Sequence, residues 1–154
     1  MKQLIKLSFL FLLMATFGCD ADGNHVDCTT PPERFIFEFI DKDTGKNLFA
    51  TGDFDVTKPV TIVDLTTGKV IQTLYVKSDN LYRIVIDSIG WQTGVFNYSI
   101  NYDGKSVLEL HVSAERVSEN HCNFTRIKSV EFNKTGIELD KTTGVYKIPF
   151  TPAK

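Results

Sequence analysis

A hairpin near the middle of the chain constrains the fold more than any other feature of the sequence. Over residues 96–102, apolar side chains alternate with polar ones, which is the period of a half-buried strand. Asp103-Gly104 then supplies a two-residue turn, and residues 105–114 return with the same alternation. The body of the chain shows no sustained helical period. These patterns predict an all-β protein.

The other strands are recognised by the same alternation and by the turns between them. Residues 34–41 are apolar on both faces, which is typical of a central, buried strand. Several other strands are apolar on one face only, as two packed sheets require. About seven to eight strands therefore predict an antiparallel β-sandwich of immunoglobulin-like or transthyretin-like type. Besides the hairpin, the predicted strands are residues 34–41, 60–65, 69–76, 81–87, 124–132 and 145–150.

The N-terminus has the layout of an export signal. Lys2 and Lys6 accompany an apolar run over residues 7–14, which is too short to span a bilayer comfortably. Thr16-Phe17-Gly18-Cys19 then resembles the lipobox of bacterial lipoproteins, in which cleavage before the cysteine is coupled to its acylation. The resemblance implies a mature chain held to a membrane by acyl chains on Cys19. Ordinary secretion and an uncleaved anchor are the alternatives.

The residues after Cys19 form a short acidic segment. Asp20-Ala21-Asp22-Gly23-Asn24 resembles the acidic export tag of surface lipoproteins of the Bacteroidota. The resemblance implies a small lipoprotein of the cell envelope, held in the outer membrane and facing either the outside or the periplasm. A flexible linker and a calcium loop are alternatives. The chain then divides into a signal peptide at 1–18, a lipidated cysteine with its tether at 19–33, and one β-sandwich domain at 34–154.

The charge balance excludes one class of partner. Removal of residues 1–18 takes Lys2 and Lys6 from the 17 basic residues, which leaves 15 against 19 acidic residues and a net charge of −4. Nucleic-acid binding requires a concentrated basic surface, so we expect no nucleic-acid partner. Association with a membrane is expected through the lipid anchor.

Two cysteines remain in the mature chain besides the lipobox cysteine. Cys28 and Cys122 form an even pair in an exported protein, which most simply predicts a disulfide. Together with His25 and His121 they could instead form a zinc site, although zinc modules usually supply paired ligands two to four residues apart. Unpaired thiols are the third alternative. We expect the disulfide.

The sequence contains neither a GxSxG elbow, nor an HExxH helix, nor a glycine-rich phosphate loop. His111 lies on the polar face of a predicted strand, where a solvated role is the simplest. A hydrolase would need several carboxylates to converge in one cleft, and the same acidic turns could instead bind calcium. Turn capping explains them more simply, so we expect no enzyme, no cofactor and no metal. The carboxylates concerned are Glu38, Asp41, Asp43, Asp53 and Asp55.

Trp91 is the only tryptophan and lies in a glycine-bounded loop between two predicted strands. Such a side chain could stack on a sugar ring or anchor a protein partner. The interpretation that we favour from the sequence is that it folds back and plugs one end of the sandwich. In the same loop, Asp87-Ser88-Ile89 resembles the short O-glycosylation motif of the Bacteroidota, which makes Ser88 the candidate glycosylated residue.

These features together predict a function by elimination. We expect a non-catalytic binding or assembly module of the cell envelope, with an envelope protein or a glycan as its partner. One alternative is a structural or accessory subunit that pairs through a sheet edge. A carboxylate-based hydrolase is the other alternative.

Overall fold

The computed structural model describes residues 28–71, 74–78 and 81–151. These residues form eleven strands and one short helix. In chain order the strands are β1 (Cys28–Thr29), β2 (Phe35–Asp41), β3 (Val60–Asp64), β4 (Val70–Ile71), β5 (Leu74–Ser78), β6 (Leu81–Ile86), β7 (Gly94–Tyr102), β8 (Lys105–Glu119), β9 (Cys122–Phe132), β10 (Glu138–Asp140) and β11 (Val145–Phe150), and the helix α1 is Leu48–Thr51.

The strands form two sheets. The first sheet has the order β1-β9-β8-β7-β3-β4, and the second has the order β10-β11-β2-β6-β5. Each sheet is mixed, because β1 pairs with β9 in parallel and β11 pairs with β2 in parallel. The predicted all-β class is confirmed, but the sheets are not antiparallel throughout. A parallel pair is joined by a long crossover rather than by a hairpin, and local turn signals do not reveal such a pair.

The predicted central hairpin is present as β7 and β8. Tyr102 pairs with Lys105, and the two turn residues Asp103 and Gly104 have φ angles of 50° and 74°. Positive φ at both positions is the requirement of the tight hairpin turn that Asp-Gly favours. The prediction of one strand over residues 69–76 is wrong, since β4 lies in the first sheet and β5 in the second. Alternation reports which side chains are apolar and cannot tell which sheet a segment joins.

The helix α1 follows β2 and was not predicted. Asn47 caps it, because its side-chain oxygen accepts hydrogen bonds from the backbone N–H groups of Phe49 and Ala50. The helix buries Leu48 and Phe49 and ends at Thr51, where Gly52, whose φ is 85°, forms the C-cap. A single turn is too short to show a helical period in the sequence.

The core lies between the two sheets. Phe35, Phe37 and Phe39 of β2 are almost fully buried. The ring of Phe37 meets Phe132 of the first sheet edge-on, with the centroids 6.5 Å apart. β2 lies between β11 and β6, as the two-sided apolar pattern predicted.

Candidate functional site

The hairpin of β8 and β9 extends beyond the strand beside it. β7 pairs with β8 only as far as Ala114, whereas β8 continues to Glu119 and stays paired with β9. The two strands are joined by Asn120 and His121, whose φ angles of 51° and 64° again make a tight turn. We call residues 115–126 the hairpin arm. It stands beside the loop that carries Trp91.

A disulfide joins Cys28 of β1 to Cys122 of the arm. The two residues are also direct partners in the parallel pairing of β1 with β9, with their Cα atoms 4.5 Å apart. The predicted disulfide is therefore confirmed. His121 lies in the turn rather than on a strand, and His25 lies outside the described residues. Within the part of the chain that the structure describes, no cluster of three or more His, Cys, Asp or Glu side chains could hold a metal ion.

Arg116 connects three segments at the base of the arm. Its Nη1 donates hydrogen bonds to the carbonyl oxygen of Thr30 at 2.8 Å and to the hydroxyl of Thr125 at 2.9 Å. Its backbone N–H donates to the hydroxyl of Thr93 at 2.8 Å. Its guanidinium group lies over the ring of Trp91, 5.8 Å from the centroid. Arg116 thereby fixes the chain after β1, the arm and the Trp91 loop relative to one another.

Gly90 holds the Trp91 loop against the arm. The hydroxyl of Thr125 donates a hydrogen bond of 2.7 Å to the Gly90 carbonyl oxygen. Gly90 has a φ of +90°, and a Cβ at this position would lie 2.6 Å from Cγ2 of Thr125. Only glycine fits here, because any side chain would meet both the strained backbone and the clash.

Trp91 itself faces solvent. Its side chain is 52% exposed, and its Nε1 donates a hydrogen bond of 3.0 Å to the Asp87 carbonyl oxygen. The interpretation in which Trp91 plugs the end of the sandwich is wrong, because Ile89 of the same loop is fully buried and Trp91 is not. Trp91 is thus an exposed aromatic side chain held by a hydrogen bond on its edge and by Arg116 over its ring.

A groove opens beside Trp91 with a volume of about 380 Å³. Its walls combine a flat apolar surface, a guanidinium group, a carboxylate and a hydroxyl. This set can stack on an apolar ring face while it also donates and accepts hydrogen bonds. We call it the Trp91 groove. Its lining residues are Pro31, Pro32, Arg34, Asp87, Ser88 and Trp91.

Ser88, the candidate glycosylated residue, is exposed at the wall of this groove. Burial raises the pKa of the Tyr98 hydroxyl, a hydrogen bond with Ser88 opposes that rise, and the Asp64 carboxylate adds to it. Because Ser88 and Trp91 line the same groove, a sugar on the Ser88 hydroxyl would share that groove with Trp91.

Three acidic turns have the same sequence pattern and the same geometry. Each begins with an aspartate whose Oδ1 accepts hydrogen bonds from two backbone N–H groups that follow it. Each ends with a glycine that donates to the aspartate carbonyl oxygen at 2.7–2.8 Å and has a φ of +69° or +70°. The pattern is Asp-x-x-Thr-Gly, at residues 41–45, 64–68 and 140–144. These carboxylates cap their own turns.

The carboxylates of the hydrolase alternative have separate partners. Asp41 caps its turn, Asp55 accepts hydrogen bonds from the backbone and hydroxyl of Thr57, and Asp53 accepts one from Thr51. Glu38 is buried and forms an ion pair of 2.7 Å with Arg83. His111 makes a hydrogen bond of 2.7 Å with Asn97.

The expectations for the signal peptide, for Cys19 and for the acidic tag lie outside the described residues. Among residues 28–71, 74–78 and 81–151, no helix has the length and apolarity needed to cross a bilayer. Comparison with protein-family models, with curated proteins and with solved structures gave no match.

The sequence analysis missed Arg116, which orders the Trp91 loop, and three residues that line the groove. Arg116 continues the inward row of β8 after Leu110, Val112 and Ala114, and a basic residue in such a row was a usable signal. Pro31, Pro32 and Arg34 had no such signal, because only the crossing between the two sheets brings them beside Trp91.

Proposed function

We propose that this chain is a lipid-anchored protein of the cell envelope whose β-domain is a non-catalytic binding module. The Trp91 groove is its binding surface, and Cys19 carries the anchor. We infer that the two sheets form a sandwich of immunoglobulin-like or transthyretin-like type, and such sandwiches commonly present binding loops at the ends of their strands. The observation that carries the proposal is the exposure of Trp91 in a loop whose conformation is already fixed.

Preorganisation of Trp91 supports this role. A side chain that is ordered before binding loses little conformational entropy when a ligand arrives. Tryptophan is also among the residues that contribute most to binding when they sit in a well-defined pocket. Arg116, Gly90 and the Asp87 carbonyl oxygen supply that order.

The lining of the groove favours a glycan as the ligand. A sugar ring presents an apolar C–H face together with hydroxyl groups that both donate and accept hydrogen bonds. Trp91 offers the flat surface, Arg34 is a donor and Asp87 is an acceptor, and the hydroxyl of Ser88 is both where it carries no glycan. An envelope protein that inserts an aromatic or prolyl side chain is the second ligand class.

The single tryptophan makes the test direct. The mature protein is screened on an array of bacterial and host glycans, and each hit is titrated while the fluorescence of Trp91 is followed. Trp91→Ala should abolish binding and Trp91→Phe should weaken it. Val56→Ala is the matched control, since Val56 is 46% exposed and follows Asp55, whose backbone N–H donates to the hydroxyl of Tyr102 at the opposite end of β7. Binding that survives Trp91→Ala would exclude this groove as the site.

The anchor and the modification are tested by mass. Protein purified from membranes of its native host should lack residues 1–18 and carry acyl chains on Cys19. If Ser88 is glycosylated, the mass also includes a glycan, which Ser88→Ala removes. A soluble product without acyl chains would refute the anchor, and an unshifted polypeptide mass would refute the glycan.

A structural subunit that pairs through a sheet edge is the second candidate function. It is favoured by β9, which lacks a strand partner along most of one side among the described residues. A pull-down from cross-linked envelopes, with Trp91→Ala as the comparison, separates the two. A partner captured equally by both forms would support the edge over the groove.

A further inference from the structure

Strand β9 has an open edge. On one side it pairs with β8 along its length, whereas on the other side β1 pairs only with Cys122 and Asn123. Thr30 adds one backbone hydrogen bond to Asn123, and Pro31 has no backbone N–H with which to continue the pairing. From residue 124 to residue 132, no strand of the described chain covers this edge. Unpaired backbone groups on such an edge can bind another strand.

A bulge in β9 sets which side chains share a face along this edge. Ala114 pairs with Ile127, whereas the preceding Ser113 pairs with Ser129, so β9 contains one extra residue. Residues five apart normally point to opposite faces of a strand, and the extra residue removes that difference. Arg126 and Glu131 consequently both lie on the exposed outer face.

The inner face shows the matching arrangement. Ile127 and Val130 pair with Ala114 and Val112, which are buried in the core. Both line a groove of about 570 Å³, together with Leu139 and Tyr146 of the second sheet and with residues 33–36, which include the charged Glu33 and Arg34. Leu139 is 44% exposed there. The open edge therefore has an apolar inner row and a charged outer row.

We propose that two copies of this chain associate by pairing their β9 strands in antiparallel orientation. The two-fold axis that relates the copies lies between Lys128 and Ser129. In this register Arg126 faces Glu131 of the second copy, and Ile127 faces Val130 of the second copy. Symmetry makes each contact twice. Opposite charges and apolar pairs directly across two strands both stabilise a sheet. The result is one continuous sheet through both copies.

The charges specify this register rather than promoting pairing in general. Charged side chains on an edge strand usually prevent indiscriminate association. Here residues 126–131 are complementary to the same residues of a second copy in antiparallel orientation. Arg126 and Ile127 of one copy face Glu131 and Val130 of the other. Arg126 remains accessible at 48% exposure, and its existing contacts with Glu115 and Glu119 are long, at 3.8 Å and 3.4 Å. The association does not involve Trp91 and is independent of the proposed ligand.

The test is the oligomeric state of the mature protein by sedimentation velocity over a concentration series. The native chain should form a dimer whose fraction rises with concentration and falls with added salt. Arg126→Glu and Glu131→Arg should each weaken the dimer by roughly tenfold or more, because each replaces two attractive pairs by two repulsive ones. The double variant Arg126→Glu/Glu131→Arg should restore the native dimer.

Control variants distinguish a contact between copies from a general effect of charge. Lys69→Glu changes the net charge as Arg126→Glu does, but it lies beside β4 at the opposite edge of the same sheet and should leave the dimer intact. Trp91 fluorescence verifies the fold of every variant. Because Arg126→Glu also places like charge beside Glu115 within one copy, only restoration by the second reversal identifies a contact between copies.

Three outcomes overturn the proposal. The native chain could remain monomeric at the highest attainable concentration. The single reversals could leave the dimer unchanged, or the double variant could be as weak as the singles. Hydrogen exchange gives an independent check, since amides at 124–132 should gain protection with concentration while those of β2 should not.

Discussion

The guanidinium group of Arg116 lies 5.8 Å from the ring centroid of Trp91 and donates a hydrogen bond to the Thr30 carbonyl oxygen. One side chain therefore orders both the exposed aromatic residue and the wall of the groove beside it. Because Thr30 lies two residues after Cys28, the geometry of the groove depends on the disulfide as well as on the sheets.

Removal of the Arg116 head group should loosen the Trp91 groove. Arg116→Met keeps an apolar stem but loses two charge-assisted hydrogen bonds, so we expect a loss of about 1.5–3 kcal/mol in the free energy of unfolding. Acrylamide should also quench Trp91 more strongly. Urea unfolding at low protein concentration measures the first effect. Arg126→Met is the control, since Arg126 lies 5.8 Å over Phe124 but makes only exposed ion pairs, worth up to about 1 kcal/mol.

Gly90→Ala should destabilise the protein by about 1–3 kcal/mol, because the new Cβ meets Thr125 at 2.6 Å and φ is +90°. Gly90→Ala/Thr125→Ser removes the clashing methyl group and should recover part of the loss. Gly94→Ala is the matched control, since nothing lies within 4 Å of a Cβ there. Thermal unfolding of the three variants tests the comparison, and equal effects of Gly90→Ala and Gly94→Ala would contradict it.

Loss of the disulfide should change the conformation of the Trp91 groove more than that of the two sheets. The bond closes a loop with a sequence separation of 94 residues, which corresponds to a stabilisation of about 4–5 kcal/mol in the chain-entropy model. Cys28→Ser/Cys122→Ser frees β1 and with it Thr30 and Pro31. We expect a shifted Trp91 emission with little change in far-ultraviolet circular dichroism. If the variant is less stable but its Trp91 emission is unchanged, the geometry of the Trp91 groove does not depend on the disulfide.

The three Asp-x-x-Thr-Gly turns should contribute to acid unfolding. Hydrogen bonds from Thr44 hold the pKa of Asp41 below its usual value, and those from Thr142 and Thr143 do the same for Asp140. For Asp64, desolvation raises the pKa, but the hydrogen bonds from Thr66 and Thr67 together outweigh it. A carboxylate whose pKa is lowered by folding stabilises the folded state at pH values above its pKa in the unfolded chain. This stabilisation is lost as the pH falls through its pKa in the folded protein.

The effect sets in as the pH approaches about 4, the pKa of an unfolded aspartate, and grows as the pH falls further. Asp41→Asn keeps an acceptor in the turn but no longer titrates. Urea unfolding between pH 6 and pH 2 should therefore show a shallower loss of stability for this variant than for the native chain. Asp43→Asn is the control, because the Asp43 side chain caps neither this turn nor the other two. Equal slopes for the native chain and Asp41→Asn would contradict the assignment.

Local sequence patterns predicted the elements that are held by local interactions. Alternation with Asp103-Gly104 identified β7 and β8, and the two-sided apolar pattern identified β2 as a central strand. The division of residues 69–76 between two sheets escaped prediction, because both β4 and β5 are short and apolar. The parallel pairing of β2 with β11 joins segments more than a hundred residues apart, and no pattern within either strand records it.

The candidate site was predictable only through its central residue. Trp91 stood out as a lone aromatic between glycines, but its sequence context did not show that Ile89 would be buried and Trp91 exposed. The wall formed by Pro31, Pro32 and Arg34 depends on where the chain crosses from the first sheet to the second. The proximity of these residues to Trp91 follows from the order of the strands in the two sheets, so it can be read only from the three-dimensional structure.

The bond between Cys28 and Cys122 also decides how the domain responds to mechanical load. A force applied to the chain before Cys28 acts on β1 through the backbone and at the same time reaches β9 through the disulfide. Residues 29–121 lie inside the covalent loop that the disulfide closes, so the disulfide carries tension that would otherwise extend this part of the chain. The load falls on the long ladder between β8 and β9, which resists it with many hydrogen bonds at once. A domain tethered at its N-terminus would thus keep the Trp91 groove folded while the tether is under strain.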